Sequence, residues 1–194
     1  DSDAITGLWA LEGILVIFKA SSIWTLSGNS PSTFFLRKIV TDVGCRNHFS
    51  IVEKDQILYF MGERAIFAFD GSSSPVEISE PVRPEITGRN FARDRYVVGA
   101  HDYANGIIWW SYSSAGSSTN NKLLAFFYRN SERVGKPSWL PWVLNTPVTT
   151  GILYTNPTTK TRELWYGMSD GRLGKSGGLT DNAVSIETRW RTAR

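Results

Sequence analysis

The residues able to carry acid–base, nucleophilic or metal chemistry are few. There are two histidines, His48 and His101, and one cysteine, Cys45. His101 is followed directly by Asp102, but neighbours on a strand point to opposite faces, so the two make a poor acid–base pair. Cys45 and His48 stand three apart with no third ligand type beside them, and a single cysteine cannot close an internal disulfide. Asp and Glu are scattered singly, so no pair of carboxylates can be named for glycoside hydrolysis. Nucleophile elbows, zinc-protease helices and glycine-rich phosphate loops are missing from the sequence. The expectation is a protein that is not an enzyme and that uses no cofactor or metal.

Two other groups of residues point to binding. Arg outnumbers Lys fourteen to seven, and Arg83, Arg89, Arg93 and Arg95 fall close together against only Glu85 and Asp94. Arginine recognises phosphates and carboxylates through a planar fork, so Arg89, Arg93 and Arg95 are candidates for a surface facing DNA or a partner. The balance of 21 Lys plus Arg against 18 Asp plus Glu gives only +3, which suits a wall that DNA passes better than a DNA clamp. The second group is aromatic. Trp139 and Trp142 form a candidate binding surface, and a carbohydrate-binding, lectin-like propeller built on them is the alternative functional reading.

The elements that must position these residues are mostly strands. The chain has 194 residues, 41% hydrophobic and 20% charged, enough for a packed core and too little charged for disorder. Its apolar runs, such as Ile14 to Phe18, are far shorter than a membrane helix needs. Short apolar runs bounded by Gly, Asn, Asp or Ser recur as hairpins. Ile14–Phe18 turns into Ile23–Leu26, Ile57–Met61 into Ala65–Phe69, Ile107–Tyr112 into Lys122–Tyr128, and Glu163–Gly167 into Arg172–Lys175. Further strands are expected at Phe34–Val40, Phe49–Glu53, Tyr96–Ala100 and Thr149–Tyr154. One short helix is expected around Ile86–Arg95, weakened by Gly88.

A repeat of 40 to 50 residues carrying about four short strands is the pattern of a β-propeller blade. The expected fold is all-β, a β-propeller or part of one, with about four blades. Residues 1–182 are read as blades and 183–194 as an outgoing strand or linker to a further domain. Because the chain opens at Asp1 without Met, it is read as a processed product or a piece of a longer protein.

The order of motifs carries a resemblance. Asp3–Leu8, Ala10, Gly13–Lys19, Ser22–Trp24 and Leu26–Gly28 come first; Gly44–Cys45, Ser50–Val52, Ile57–Phe60, Ala65–Phe67, Phe69–Gly71 and Ile78–Ser79 follow. This series, over residues 3–112, resembles the propeller segments of tail nozzle and tail tubular, or head-to-tail closure, proteins of tailed bacteriophages. The resemblance implies a structural virion protein, assembled in the host cytoplasm into a ring of its own copies. Such a ring lines or extends the DNA-ejection channel and docks other tail proteins: adaptor, fibres or spikes. It implies transient passage of DNA and no membrane insertion by this segment. The proteins resembled are much longer, with further β-domains.

Overall fold

In the computed structural model the described residues are 3–176, with 180–181 and 184–185. Four antiparallel meanders succeed one another along the chain. The first sheet holds β1 (Ile5–Leu11), β2 (Ile14–Lys19), β3 (Ser22–Ser27) and β4 (Phe35–Thr41). The second holds β5 (Val52–Lys54), β6 (Ile57–Met61), β7 (Ile66–Phe69) and β8 (Val76–Glu77). The third holds β9 (Val98–Asp102), β10 (Ile107–Tyr112), β11 (Lys122–Phe127) and β12 (Trp139–Val143). The fourth has β13 (Val148–Thr155), β14 (Arg162–Met168) and β15 (Leu173–Lys175), and a two-stranded pair, β16 (Thr180–Asp181) with β17 (Val184–Ser185), follows. In each meander the strands lie in sequence order. Apart from β17, the expected linker 183–194 lies outside the described residues.

The first strands of the sheets are the innermost. β5 and β13 both lie against β9, and the 3-10 turn His48–Ser50 ahead of β5 touches β1 and β9. These strands run so close that side chains must be missing. A Cβ on Gly99 of β9 would stand 2.6 Å from Val52 Cγ2, and one on Gly151 of β13 would stand 2.9 Å from the Ala100 Cβ. Glycine is therefore required where the inner backbones converge.

Strict alternation along each middle strand sends apolar side chains to both faces. On β6, Leu58 and Phe60 join Val16, Phe18 and Ile23 of the first sheet, with the Phe18 and Phe60 rings 4.9 Å apart. Tyr59 and Met61 point the other way, into a layer with Ile108, Trp110, Leu124 and Phe126 of the third sheet. The opposite face of that sheet gives Trp109, Leu123 and Ala125, which meet Val148 and Leu164 of the fourth. Polar groups caught between sheets are paired: Trp110 Nε1 donates to the Ser50 carbonyl at 2.8 Å and Ser111 Oγ to the Val148 carbonyl at 2.9 Å.

Among the described residues the second and third sheets are thus covered on both faces, and the first and fourth on one. The pairing register places Leu8, Leu15, Ile17, Trp24, Leu26 and Leu36 on the outward face of the first sheet. Leu36 is 54% exposed. On the fourth sheet the outward face carries Ile152, Tyr154, Trp165 and Leu173, with Ile152 65% and Leu173 74% exposed.

The connections differ from expectation in two places. The single helix expected over Ile86–Arg95 is two pieces, α1 (Arg83–Thr87) and a 3-10 turn (Phe91–Tyr96), parted at Gly88. A second helix, α2 (Tyr128–Val134), was not expected; it begins directly after β11 and ends at Gly135, whose φ of 68° stops it. Seven residues are too few for a helical period to be recognised.

Two outcomes test this packing. Trp110 is fully buried and hydrogen-bonded, so Trp110→Ala should lower unfolding free energy by about 3–5 kcal/mol in urea titration. Asp70 caps the turn after β7, its Oδ1 accepting from Ser73 N and Ser72 N at 2.9 Å each, and these bonds hold its pKa at about 2, below the ordinary 3.8. The stabilisation it gives is present above the ordinary value and is lost as pH falls through about 2. Asp70→Asn should therefore be less stable than the parent at neutral pH, with the difference shrinking towards pH 2 in acid titration.

Candidate functional site

The arginine segment lies in the crossing from the second sheet to the third, at the end of the inner strands where β9 begins. Asn90 caps the 3-10 turn by accepting from Ala92 N at 3.2 Å, and its Nδ2 donates to the Ser117 carbonyl at 2.8 Å. Asn47 Nδ2 donates to the Arg95 and Val97 carbonyls at 3.1 and 2.6 Å. Asn120 Nδ2 donates to the Tyr96 carbonyl at 2.6 Å. Side chains from three separate segments thus fix this short turn.

Arg89 does not face outward. It is 3% exposed, and all five of its N–H donors are spent. Nε and Nη2 grip the Asp94 carboxylate at 2.7 and 2.9 Å, Nη1 donates to Ile86 and Glu63 carbonyls at 2.8 Å each, and Nη2 reaches the Gly62 carbonyl at 3.0 Å. This corrects the expectation of Arg89 as a DNA- or partner-facing residue. It ties the crossing to the β6–β7 hairpin instead.

Arg93 and Arg95 do reach the surface, around Tyr96. The Arg93 guanidinium carbon lies 3.8 Å and that of Arg95 4.7 Å from the ring centroid. Arg95 and Tyr96 are exposed, Arg93 half-buried, and Arg93 Nε is shielded from water with no acceptor. Arg64, on the hairpin tip held by Arg89, is exposed nearby, while Arg46 pairs with Glu63 at 2.9 Å.

The aromatic candidates do not form one surface. Trp139 and Trp142 are three apart on β12, so they leave opposite faces of the strand. Trp139 packs against Phe126, ring centroids 4.8 Å apart, and its Nε1 donates to the Ile78 carbonyl at 2.9 Å across to the second sheet. Only Trp142, 41% exposed, remains at the surface. A platform made by both indoles is not formed. Pro141 is tolerated because β12 is an edge strand.

A group that sequence reasoning missed joins three separate segments. His101 Nε2 lies 3.0 Å from Tyr128 Oη, and Lys54 Nζ sits 4.4 Å over the Tyr128 ring while pairing with Asp55 and Glu132 at 2.9 and 3.0 Å. Burial lowers the His101 pKa and raises that of Tyr128. Burial also works against the charge on Lys54, yet its bonds to Asp55 and Glu132 outweigh it and raise the pKa. The arrangement is an ion-paired clasp of α2 onto the β5–β6 turn. A cleft of about 410 Å³ lies elsewhere, on the first sheet, lined by Leu11, Glu12, Ile14, Leu15, Leu26 and Phe34.

Cys45 is fully buried, its Sγ 3.2 Å from Ser50 Oγ, and burial pushes the thiol up to about 11. It stays a neutral thiol at physiological pH. Among the described residues no group of three or more His, Cys, Asp or Glu is placed to hold a metal ion, and no helix is long and apolar enough to cross a membrane.

Comparison with solved structures bears on the fold. The WD40 domain of Neurospora crassa Pan2 superposes with a TM-score of 0.51 at 9% identity, covering 97% of this chain and 50% of that one. This chain is a partial β-propeller. A streptogramin B lyase structure also matches, with a TM-score of 0.48 and 12% identity over 90% of this chain and 56% of that one. The chain therefore spans about half the length of these propeller structures. At such identities the likeness is one of fold. No family model and no curated protein matches the sequence.

The buried Arg89–Asp94 pair yields a direct test. Arg89→Ala leaves a carboxylate and three carbonyls without their donors and should cost about 3–5 kcal/mol in urea denaturation. Arg95→Ala, on the surface, should change stability by no more than about 0.5 kcal/mol in the same measurement.

Proposed function

We propose that this chain is a structural assembly module, working by docking its sheet faces rather than by catalysis. The observation that carries the reading is the pair of outward sheet faces at the two ends of the blade series. One face carries Leu8, Ile17, Trp24 and Leu36 beside Lys19 and Lys38, and the other carries Ile152, Trp165 and Leu173 beside the Glu163–Lys175 ion pair, so both expose apolar side chains within a charged setting. Exposed apolar area of this kind marks interaction surfaces. Because the two faces differ, contact between copies is heterologous, and repetition of one contact closes a ring when its rotation allows.

The biological setting is the one the sequence resemblance implies: a ring-forming nozzle or tubular component of a phage tail, in the virion. In that setting it lines or extends the DNA-ejection channel and carries adaptor, fibre or spike proteins. The modest charge supports a conduit, since two of the segment's four arginines are neutralised internally through Arg89–Asp94 and Arg83–Glu77. The lectin-like alternative loses its paired indole platform, because Trp139 is committed to packing.

Native mass spectrometry of the chain at micromolar concentration tests this reading. A closed homo-oligomer is expected, and Leu36→Asp or Ile152→Asp should each weaken assembly at least about tenfold, since each buries a charge in an apolar contact. A monomer, or an oligomer indifferent to both substitutions, contradicts it.

A further inference from the structure

We infer that the outer edge of β4, over Phe35–Lys38, takes up an extended segment of another protein, acidic then apolar, as an added strand. The sheet order makes β4, β8, β12 and β15 the outermost strands of their sheets, each with one edge paired to no described strand. Such an edge offers a row of backbone donors and acceptors to any extended chain, and short length, proline or a bulge blunts it. β8 has two residues, β15 has three, and β12 carries Pro141 at its middle. β4 has seven residues and no proline. Its register with β3 shifts between Ile23 and Trp24, which leaves Ile39 as the bulged residue. Phe35 through Lys38 stay regular, all four are exposed, and the bulge sets where an added strand stops.

The side chains along this edge define the occupant. Leu36 and Lys38 lie on the outward face of the first sheet beside Leu26 and Trp24, and Phe35 and Arg37 lie on the other face. An added strand sets its own residues opposite these four, where apolar pairs and opposite charges stabilise the pairing and like charges oppose it. Arg37 Nη2 donates to the Ser72 carbonyl at 3.2 Å, so the turn after β7 fixes its direction while no carboxylate of the described residues matches its charge. Lys38 Nζ lies 5.2 Å from the Trp24 ring centroid, which holds a second cation on the same edge. An antiparallel partner that answers all four residues reads acid, acid, apolar, aromatic from its N-terminal end. A second copy does not supply that order: no two acidic residues are adjacent in the sequence, and β4 laid full length against β4 sets Lys38 opposite Lys38. Because β4 is the outermost strand, its edge stays open whether or not the outward faces dock, and the inference does not rest on the assembly reading.

Fluorescence anisotropy of the whole chain with a dye-labelled peptide, Thr-Glu-Glu-Val-Phe-Thr, tests it. Saturable binding is expected. Arg37→Glu combined with Lys38→Glu should weaken it at least about tenfold, and the peptide Thr-Lys-Lys-Val-Phe-Thr should bind that variant while failing on the parent. Only alternate amides of an added strand donate to the edge it joins. N-methylation of one alternating set of peptide amides should therefore abolish binding, and methylation of the other set should change it less than about threefold. Hydrogen exchange of the β4 amides should slow on binding, and that of α2 should not. The inference is overturned by absence of saturable binding, by equal effects of the two methylated sets, by failure of the charge-swapped peptide to rescue the variant, or by displacement of the peptide by duplex DNA at equal anion concentration. The methylated peptides are read on the unaltered chain, so the test stands even where the double variant does not fold.

Discussion

The constraint on which the rest of the structure depends is that each sheet has two apolar faces and needs a neighbour on each. A short meander cannot bury both alone. The second sheet satisfies the requirement by sending Leu58 and Phe60 one way and Tyr59 and Met61 the other, and the third does the same with Trp110 and Trp109. Close approach of the inner strands at Gly99 and Gly151 brings the sheets near enough to interdigitate. Among the described residues the first and fourth sheets obey the same alternation but meet a neighbour on one side only. Their outward leucines, isoleucines and tryptophans are the unfulfilled half of that rule, and the proposed docking follows from it.

The polar groups reinforce the same geometry. Arg89 unites three carbonyls and a carboxylate where the second sheet crosses to the third, and Glu85 joins Tyr112 and Lys122 across that crossing at 3.0 and 2.7 Å. The lower pKa of Glu85, set first by its bond to Lys122, and the raised pKa of Tyr112, set first by burial, describe a carboxylate and a neutral phenol locked together. Of the four arginines of the segment, Arg89 is consumed in tying the crossing to the β6–β7 hairpin and Arg83 pairs with Glu77. What remains outward is small: two guanidiniums around one tyrosine.

Much of the architecture was legible in the sequence because hairpins announce themselves locally. The expected hairpins beginning at Ile14, Ile57 and Ile107 coincide with the starts of β2, β6 and β10, and the one expected at Glu163–Gly167 lies within β14. Turn residues and apolar runs fix those pairs without long-range information. The crossings were less legible. β5 has three residues and follows a 3-10 turn, so the expected strand Phe49–Glu53 is half turn. The fate of Arg89 depends on carbonyls of Gly62 and Glu63, more than twenty residues away, which no local pattern records. Trp139 likewise answers to Ile78, and the His101–Tyr128–Lys54 clasp to three separate segments. The spacing of Trp139 and Trp142 did contain the signal that they part, once the segment was read as an edge strand.

The most direct test of the central claim is disulfide cross-linking between the two outward faces. Cys45 is buried with a raised pKa, so it leaves a silent background for Leu8→Cys combined with Ile152→Cys. The account predicts a ladder of covalent multimers under mild oxidation that requires both cysteines. Monomers alone, or dimers formed equally well by either cysteine by itself, would contradict it.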